Sequence, residues 1–204
     1  MAKINPQDNQ SNTQSSSDNS DGGGFKELTA GNKILTPVGA VYRKTMNGER
    51  FCEIGFVCMY DLDKKGEEGA THNERYYLRE STNWRWSQLA AALQYTAIFD
   101  NEIGSDVMKM LVNDGARVQV EMQERSWNGK TSLQFGQLAQ VKKNGQVMPF
   151  SDKEKALLSK AITRFEDQQN WRKENGWEVE TISASGSDAA ATNEIPDFDD
   201  DLPF

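Results

Sequence analysis

The chain has 204 residues, of which 36% are hydrophobic, with a mean hydropathy of -0.75 and a formal net charge of -8. That length fits one ordinary domain with tails and hardly two, and the low apolar content means that part of it buries no core. No apolar run reaches the length of a membrane span and no charged-then-apolar leader with a cleavage site is visible, so a cytoplasmic protein without membrane contact is expected.

Residues 1–24 are Ser, Asn, Gln, Asp and Gly with almost nothing apolar, and read as a disordered N-terminal tail. Residues 25–177 read as the folded unit. Residues 178–204 carry eight acidic residues and no Lys or Arg, and read as a disordered acidic tail. The N-terminal tail carries -2 and the C-terminal tail -8, which leaves the body at +2. The acidic pI of 4.8 thus hides a slightly basic body, and nucleic acid stays open as a partner.

Along the body, Asn-Gly pairs at 47–48, 128–129 and 144–145 mark turns, because Asn and Gly tolerate the positive φ angles of tight hairpins. The first separates "KILTPVGAVYRK" from "RFCEIGFVCMY", two strand-like runs; Cys52, Ile54, Phe56 and Cys58 form one alternating face of the second. Those cysteines are about 20 Å apart on an extended strand, too far to bridge, and are expected reduced and buried. After a polar loop from Asp61 to Asn73, "ERYYLRE" reads as a third strand. The period then changes: Trp86, Leu89, Ala90, Leu93 and Ala97 predict a helix over 83–99 with Asn83 as N-cap. A shorter turn, "DVMKMLVNDG", leads into "ARVQVEMQE" and, across the second Asn-Gly, "TSLQFGQLAQV". A last helix starts at Ser151, where Ser151 and Glu154 form a capping box, and stops near Gly176.

The order strand, strand, strand, helix, strand, strand predicts a mainly β protein. The expected form is a five-stranded OB-fold barrel with a helix between strands three and four and an added C-terminal helix. Another small α+β sheet has the same periodicity.

Nothing in the chain spells out catalysis. His72 is the only histidine and reads as an exposed loop residue; no zinc spacing, phosphate-cradling glycine loop or nucleophile elbow is present, so no enzyme, metal or cofactor is expected. Binding is better supported, since single strands are held by cations and by aromatic faces on which bases stack. On an OB-fold the candidates are Arg43, Lys44 and Arg50 around the first hairpin, Arg125, Trp127 and Lys130 around the fourth-to-fifth strand hairpin, and Arg75, Tyr77 and Arg79 on one face of the third strand. Phe51 is a further candidate, with a core role equally open. Trp127 at a hairpin tip is either a stacking residue or a lid on the barrel end.

The chain ends in "DFDDDLPF". Aspartates alone would suffice for solubility; a terminal Phe adds a side chain for an apolar pocket and a carboxylate for a cation. This octapeptide resembles the C-terminal tip of bacterial single-stranded DNA-binding proteins. The resemblance implies an OB-fold body and a tip that docks replication, recombination and repair proteins. Phe204 would then fill the partner's pocket with its carboxylate on a basic side chain, Asp199, Asp200 and Asp201 would meet a basic rim, Pro203 would set the approach, and Asp197, Phe198 and Leu202 would complete the tip. The polar leader, short linker and extra helix suggest a divergent bacteriophage or mobile-element version that binds and protects single-stranded DNA, with homo-oligomerisation open. Two rival readings are a host-interaction protein that carries the tip without binding DNA, and a strand-annealing recombination protein.

Overall fold

The computed structural model describes residues 28–45, 47–93, 115–141 and 148–182. Strands β1 (Gly31–Lys44), β2 (Arg50–Asp61) and β3 (Thr71–Tyr77) come first. A 3-10 turn (Glu80–Thr82) then leads into helix α1 (Asn83–Ala92). Strands β4 (Val118–Trp127) and β5 (Lys130–Gln140), helix α2 (Asp152–Glu174) and a short β6 (Glu180–Ile182) complete the order.

β1 is the spine. One of its sides pairs with β2 from Lys33↔Asp61 to Lys44↔Arg50. Its other side is shared: Gly31–Leu35 pair with β4, and Ala40–Tyr42 pair with β6. All ladders are antiparallel, and the sheet path is β3-β2-β1-β4-β5. The Asn128-Gly129 turn behaves as its sequence dictates: φ angles of 49° and 74° make the two-residue primed turn that suits a twisted hairpin. The first Asn-Gly instead belongs to a wider loop, closed by Thr45 N donating to the Glu49 carbonyl at 2.8 Å.

The expected OB-fold barrel is not formed. β3 and β5 are the two ends of the sheet path, and no ladder joins them among the described residues, so the sheet is open and the fold is mixed α/β. The gap between the ends is bridged by side chains: Phe135 of β5 lies edge-on to Phe56 of β2 at 4.9 Å and stacked with His72 of β3 at 5.5 Å. Alternation of apolar and polar residues records only which face a side chain takes, and an open curled sheet and a closed barrel alternate alike. The fold that the C-terminal resemblance implied falls with the barrel.

Strand alternation sends side chains to two faces, each with its own core. On one face Ala40, Tyr42, Cys52, Ile54, Phe56, Cys58 and Tyr76 join Trp86 and Leu89 of α1 and Val118, Val120 and Met122 of β4. Burial pushes both thiols up, Cys58 to about 12, so these free cysteines are inert small hydrophobes. On the other face Val38, Val41, Val57 and Met59 meet Ala161 and Phe165 of α2. Gly39 and Gly55, opposite each other on β1 and β2, make the seat for the Phe165 ring; a Cβ on Gly55 would come within 2.4 Å of it. Burying such a ring stabilises the fold by roughly 1.5–3 kcal/mol.

The capping box of α2 is present: the Ser151 side chain accepts from the Glu154 backbone and the Glu154 carboxylate accepts from the Ser151 backbone. Glu154 also pairs with Arg117, which ties the helix start to the β4 side of the sheet. α1 begins one residue differently from expectation: Thr82, not Asn83, is its N-cap, and the Thr82 hydroxyl donates to the Tyr77 and Arg79 carbonyls instead of capping the helix. His72 is not a loop residue; it lies on β3, mostly buried, beside Glu74 at 3.0 Å. β6 falls inside the segment read as acidic tail, so the described body continues to Ile182. Residues 94–99 of the predicted first helix, 106–114, the third Asn-Gly pair and residues 1–24 lie outside the described residues. Among those described, no helix is long and apolar enough to cross a membrane.

Candidate nucleic-acid interface

Register decides which candidates meet. Arg43 faces Phe51 across the β1–β2 ladder, and Phe51 faces Tyr77 across β2–β3. Glu53 lies between Val41 and Arg75 in the same way. All share one face, the face on which α2 packs. The result is a strip in which guanidinium groups and rings alternate. The Arg43 guanidinium lies 4.9 Å from the Trp177 ring centroid and 5.6 Å from Phe51. Arg75 lies 5.3 Å from Phe51, and Arg79 lies 5.0 Å from Tyr77.

Members of the strip differ in what they can offer. Arg75 and Arg79 are about half exposed, at 51% and 55% of their side chains; Arg79 lies just past the end of β3, not on the strand as expected, and pairs with Glu49 at 3.1 Å. Tyr77 is partly buried. Phe51 is 2% exposed and sits beneath the arginines, so its ring supports the strip and gives a base no open face to stack on. Arg43 is also buried and is committed to Glu53 at 2.9 Å. Burial lowers the Arg43 pKa, Arg172 and Arg75 nearby add to that, and Glu53 opposes it.

Glu53 is the hub under this surface. It accepts from Arg43 and from Arg172 of α2, with Arg75 at 3.8 Å and Asn73 at 3.5 Å. One buried carboxylate therefore organises three arginines from β1, β3 and α2. The hub thus fixes the local geometry and leaves a positive surplus around it.

Lys44 and Arg50 face each other at the end of the β1–β2 ladder, on the opposite parity to the strip. Arg50 lies over the Tyr42 ring at 4.4 Å. Both cations are already engaged: Lys44 pairs with Glu178 at 3.0 Å and Arg50 with Glu180 at 3.0 Å. These four groups surround a surface cleft of about 310 Å³. The β6–β1 pairing carries the two glutamates there, since Glu180 is the residue opposite Tyr42. All four side chains are more than half exposed, so the pairs are weak and easily exchanged for another anion.

The β4–β5 hairpin holds the remaining cations. Arg125 and Lys130 are exposed, and Trp127 pairs in backbone register with Lys130. That tip extends past Met122, which pairs with Gly31, so by register it leaves the sheet beyond one end of β1, while Arg43 and Lys44 occupy the other end. The expectation that the two hairpins flank one surface rested on barrel closure, which is absent. Asp197 to Phe204 lie outside the described residues. Among the described residues, no group of three or more His, Cys, Asp or Glu is arranged to hold a metal.

Two residues of this surface were not singled out from the sequence. Arg172 reads as one more cation on a polar helix face, and Trp177 reads only as the end of the body. The one available signal was the order Gly176-Trp177 directly after a helix, which places a large ring beside a helix terminus. A scan of family models finds none that matches this chain, and no curated protein is significantly similar to it.

Proposed function

We propose that this protein is a non-enzymatic single-stranded nucleic-acid-binding protein, most suited to single-stranded DNA, acting where strands are exposed in replication, recombination or repair. The observation that carries this reading is the alternating arginine–aromatic strip, with Arg75 and Tyr77 on β3, Arg79 just beyond it, and a buried hub under Arg75 that leaves a local positive surplus. Cations take the phosphates and rings take the bases, a combination that reads no sequence and suits unpaired strands. Lys44 and Arg50, on the opposite parity at the end of the same ladder, form a second cationic site that opens when Glu178 and Glu180 yield to phosphate.

The acidic terminal peptide serves a different task in this proposal. Asp199, Asp200 and Asp201 with Phe204 suit a basic rim around an apolar pocket on a partner protein, with the terminal carboxylate captured by a cation.

Titration of fluorescent oligonucleotides, single- against double-stranded and across salt concentrations, tests the first half. Replacing Arg75 and Arg79 together by Ala should weaken single-strand binding and flatten the salt dependence by about 1.4 in the log–log slope, at roughly 0.7 per phosphate. An unchanged slope would remove this face from the proposal. Deleting residues 197–204 should leave single-strand binding intact and abolish capture of the partner; loss of DNA binding on that deletion would overturn the division of labour. Faster pairing of complementary strands would favour an annealing role.

A further inference from the structure

We infer that Trp177 is a nucleobase-stacking residue, carried on the segment that leaves α2 and built into the strip by the helix terminus itself. The inference rests on the single-strand-binding reading and adds to it a specific ring and ligand class: the planar face of an unpaired base.

The placement of Trp177 follows from the local sequence. Gly176 takes φ 80°, a backbone conformation that side chains disfavour and glycine adopts freely. Its N–H donates to the Lys173 carbonyl at 3.0 Å, and the Trp177 N–H donates to the Arg172 carbonyl at 3.0 Å. Those two bonds form the Schellman motif, which turns the chain out of the helix and fixes the residue after the glycine. Three residues further on, Glu180 to Ile182 are held against β1. The Trp177 backbone is thus pinned on both sides within a span of a few residues.

Its side chain is pinned as well. The Arg43 guanidinium lies over the indole at 4.9 Å, and Arg43 is itself held by Glu53 and backed by Phe51. A buried, paired guanidinium is a fixed support. Yet Trp177 stays 47% exposed, costly for a residue whose ring gains most from burial. A half-exposed ring supported by a fixed cation, on a strip that also carries the half-exposed Arg75, is the arrangement in which a base stacks while a flanking phosphate meets a cation. Trp84 offers a comparison: it is 59% exposed at the start of α1, outside the strip.

The test uses the full-length protein and an oligothymidylate. Trp177→Ala should weaken binding about 5- to 100-fold, the range expected for losing one stacked base. Trp177→Phe, which keeps a ring, should recover most of that loss, and Trp84→Ala should bind like wild type. An oligonucleotide bearing 5-iodouracil should photocrosslink to Trp177 in the unaltered protein. Wild-type affinity in Trp177→Ala, or no crosslink at Trp177 while others form, overturns the inference. Equal loss in the Ala and Phe variants with a matching drop in the urea midpoint also overturns it, because the ring would then serve the fold. The two levels separate cleanly. If the wild type binds no single strand, the underlying reading fails; if it binds and Arg75/Arg79 matter while Trp177 does not, only this inference fails.

Discussion

Two buried charge clusters sit toward opposite ends of the β1–β2 ladder and are built with opposite surpluses. Near one end, Lys33 is completely buried between Asp61 at 2.6 Å and Glu67 at 3.1 Å, one cation against two carboxylates. Near the other, Glu53 faces Arg43, Arg75 and Arg172, one carboxylate against three cations. The first cluster spends its extra negative charge on the protein: Asp61 accepts from the backbone of Asp63, and Glu67 accepts from the backbone and hydroxyl of Thr29. It clamps the β2–β3 loop to the start of β1. The second leaves its extra positive charge facing outward through the half-exposed Arg75. The comparison teaches that two buried ion clusters can differ in whether internal partners use up their surplus charge: the first spends it inside the fold, and the second leaves it at the surface.

The largest expected effect comes from removing the hub. Glu53→Gln should destabilise the fold by about 3–5 kcal/mol in urea or thermal unfolding, because the buried Arg43 and Arg172 lose the one carboxylate that pairs with them among the described residues. A loss below about 1 kcal/mol would mean that solvent already screens this cluster, and the contrast would break.

Lys33→Met should cost somewhat less, about 2–4 kcal/mol, since the two stranded carboxylates keep their backbone donors. This cluster also carries a pH signature. Although burial alone would raise them, hydrogen bonds and Lys33 hold Asp61 and Glu67 below their ordinary values of 3.8 and 4.5. Folded-state values that are depressed stabilise the protein above the ordinary values and lose that contribution as pH falls through the lowered ones. Burial opposes the charge on Lys33, but Asp61 and Glu67 outweigh it and raise the ammonium above 10.5. That contribution is present below 10.5 and is lost as pH rises through the raised value. Wild-type unfolding should therefore show an acid-side decline that is blunted in Lys33→Met, and matching acid profiles would assign the decline to other groups.

Gly55→Ala should destabilise by about 1–3 kcal/mol by pushing Phe165 off its seat, and should loosen Arg172 from Glu53 along with α2. Single-strand binding that is unaffected by such a shift would separate the strip from the helix that supports it.

The smallest effect sharpens the outward-facing end. Glu178→Gln with Glu180→Gln should tighten single-strand binding about two- to tenfold at low salt, because two exposed pairs worth a few tenths of a kcal/mol to 1 kcal/mol each no longer compete with phosphate. Neutralising Glu166 and Asp167 on the exposed side of α2 removes the same charge without freeing Lys44 or Arg50. An equal gain from both pairs would reduce the effect to net charge.

Much of the local structure was legible because it depends on neighbours in the chain. Asn128-Gly129 dictated a primed turn, Ser151 and Glu154 dictated a capped helix start, and Tyr76 against Tyr77 gave one buried and one partly exposed ring. The shared parity of Arg75 and Tyr77 likewise followed from strand geometry alone, whereas Arg79 lies beyond the end of that strand. The charge division between a near-neutral body and an acidic end needed no structure at all.

Tertiary structure decided what joins what. Whether β3 and β5 close a barrel depends on curl and on main-chain partners distant in sequence, and residues 71–77 and 130–140 read the same in either case. Phe51 was ambiguous because its own strand gives only a parity; its burial was set by Arg43, Arg75 and Tyr77 arriving from neighbouring strands. Trp177 was invisible for the same reason, since its support is a guanidinium 134 positions earlier in the chain, brought near by the packing of α2. Sequence fixes the faces of each element through short-range stereochemistry, while side chains from separate elements meet only where the whole chain's burial is satisfied at once.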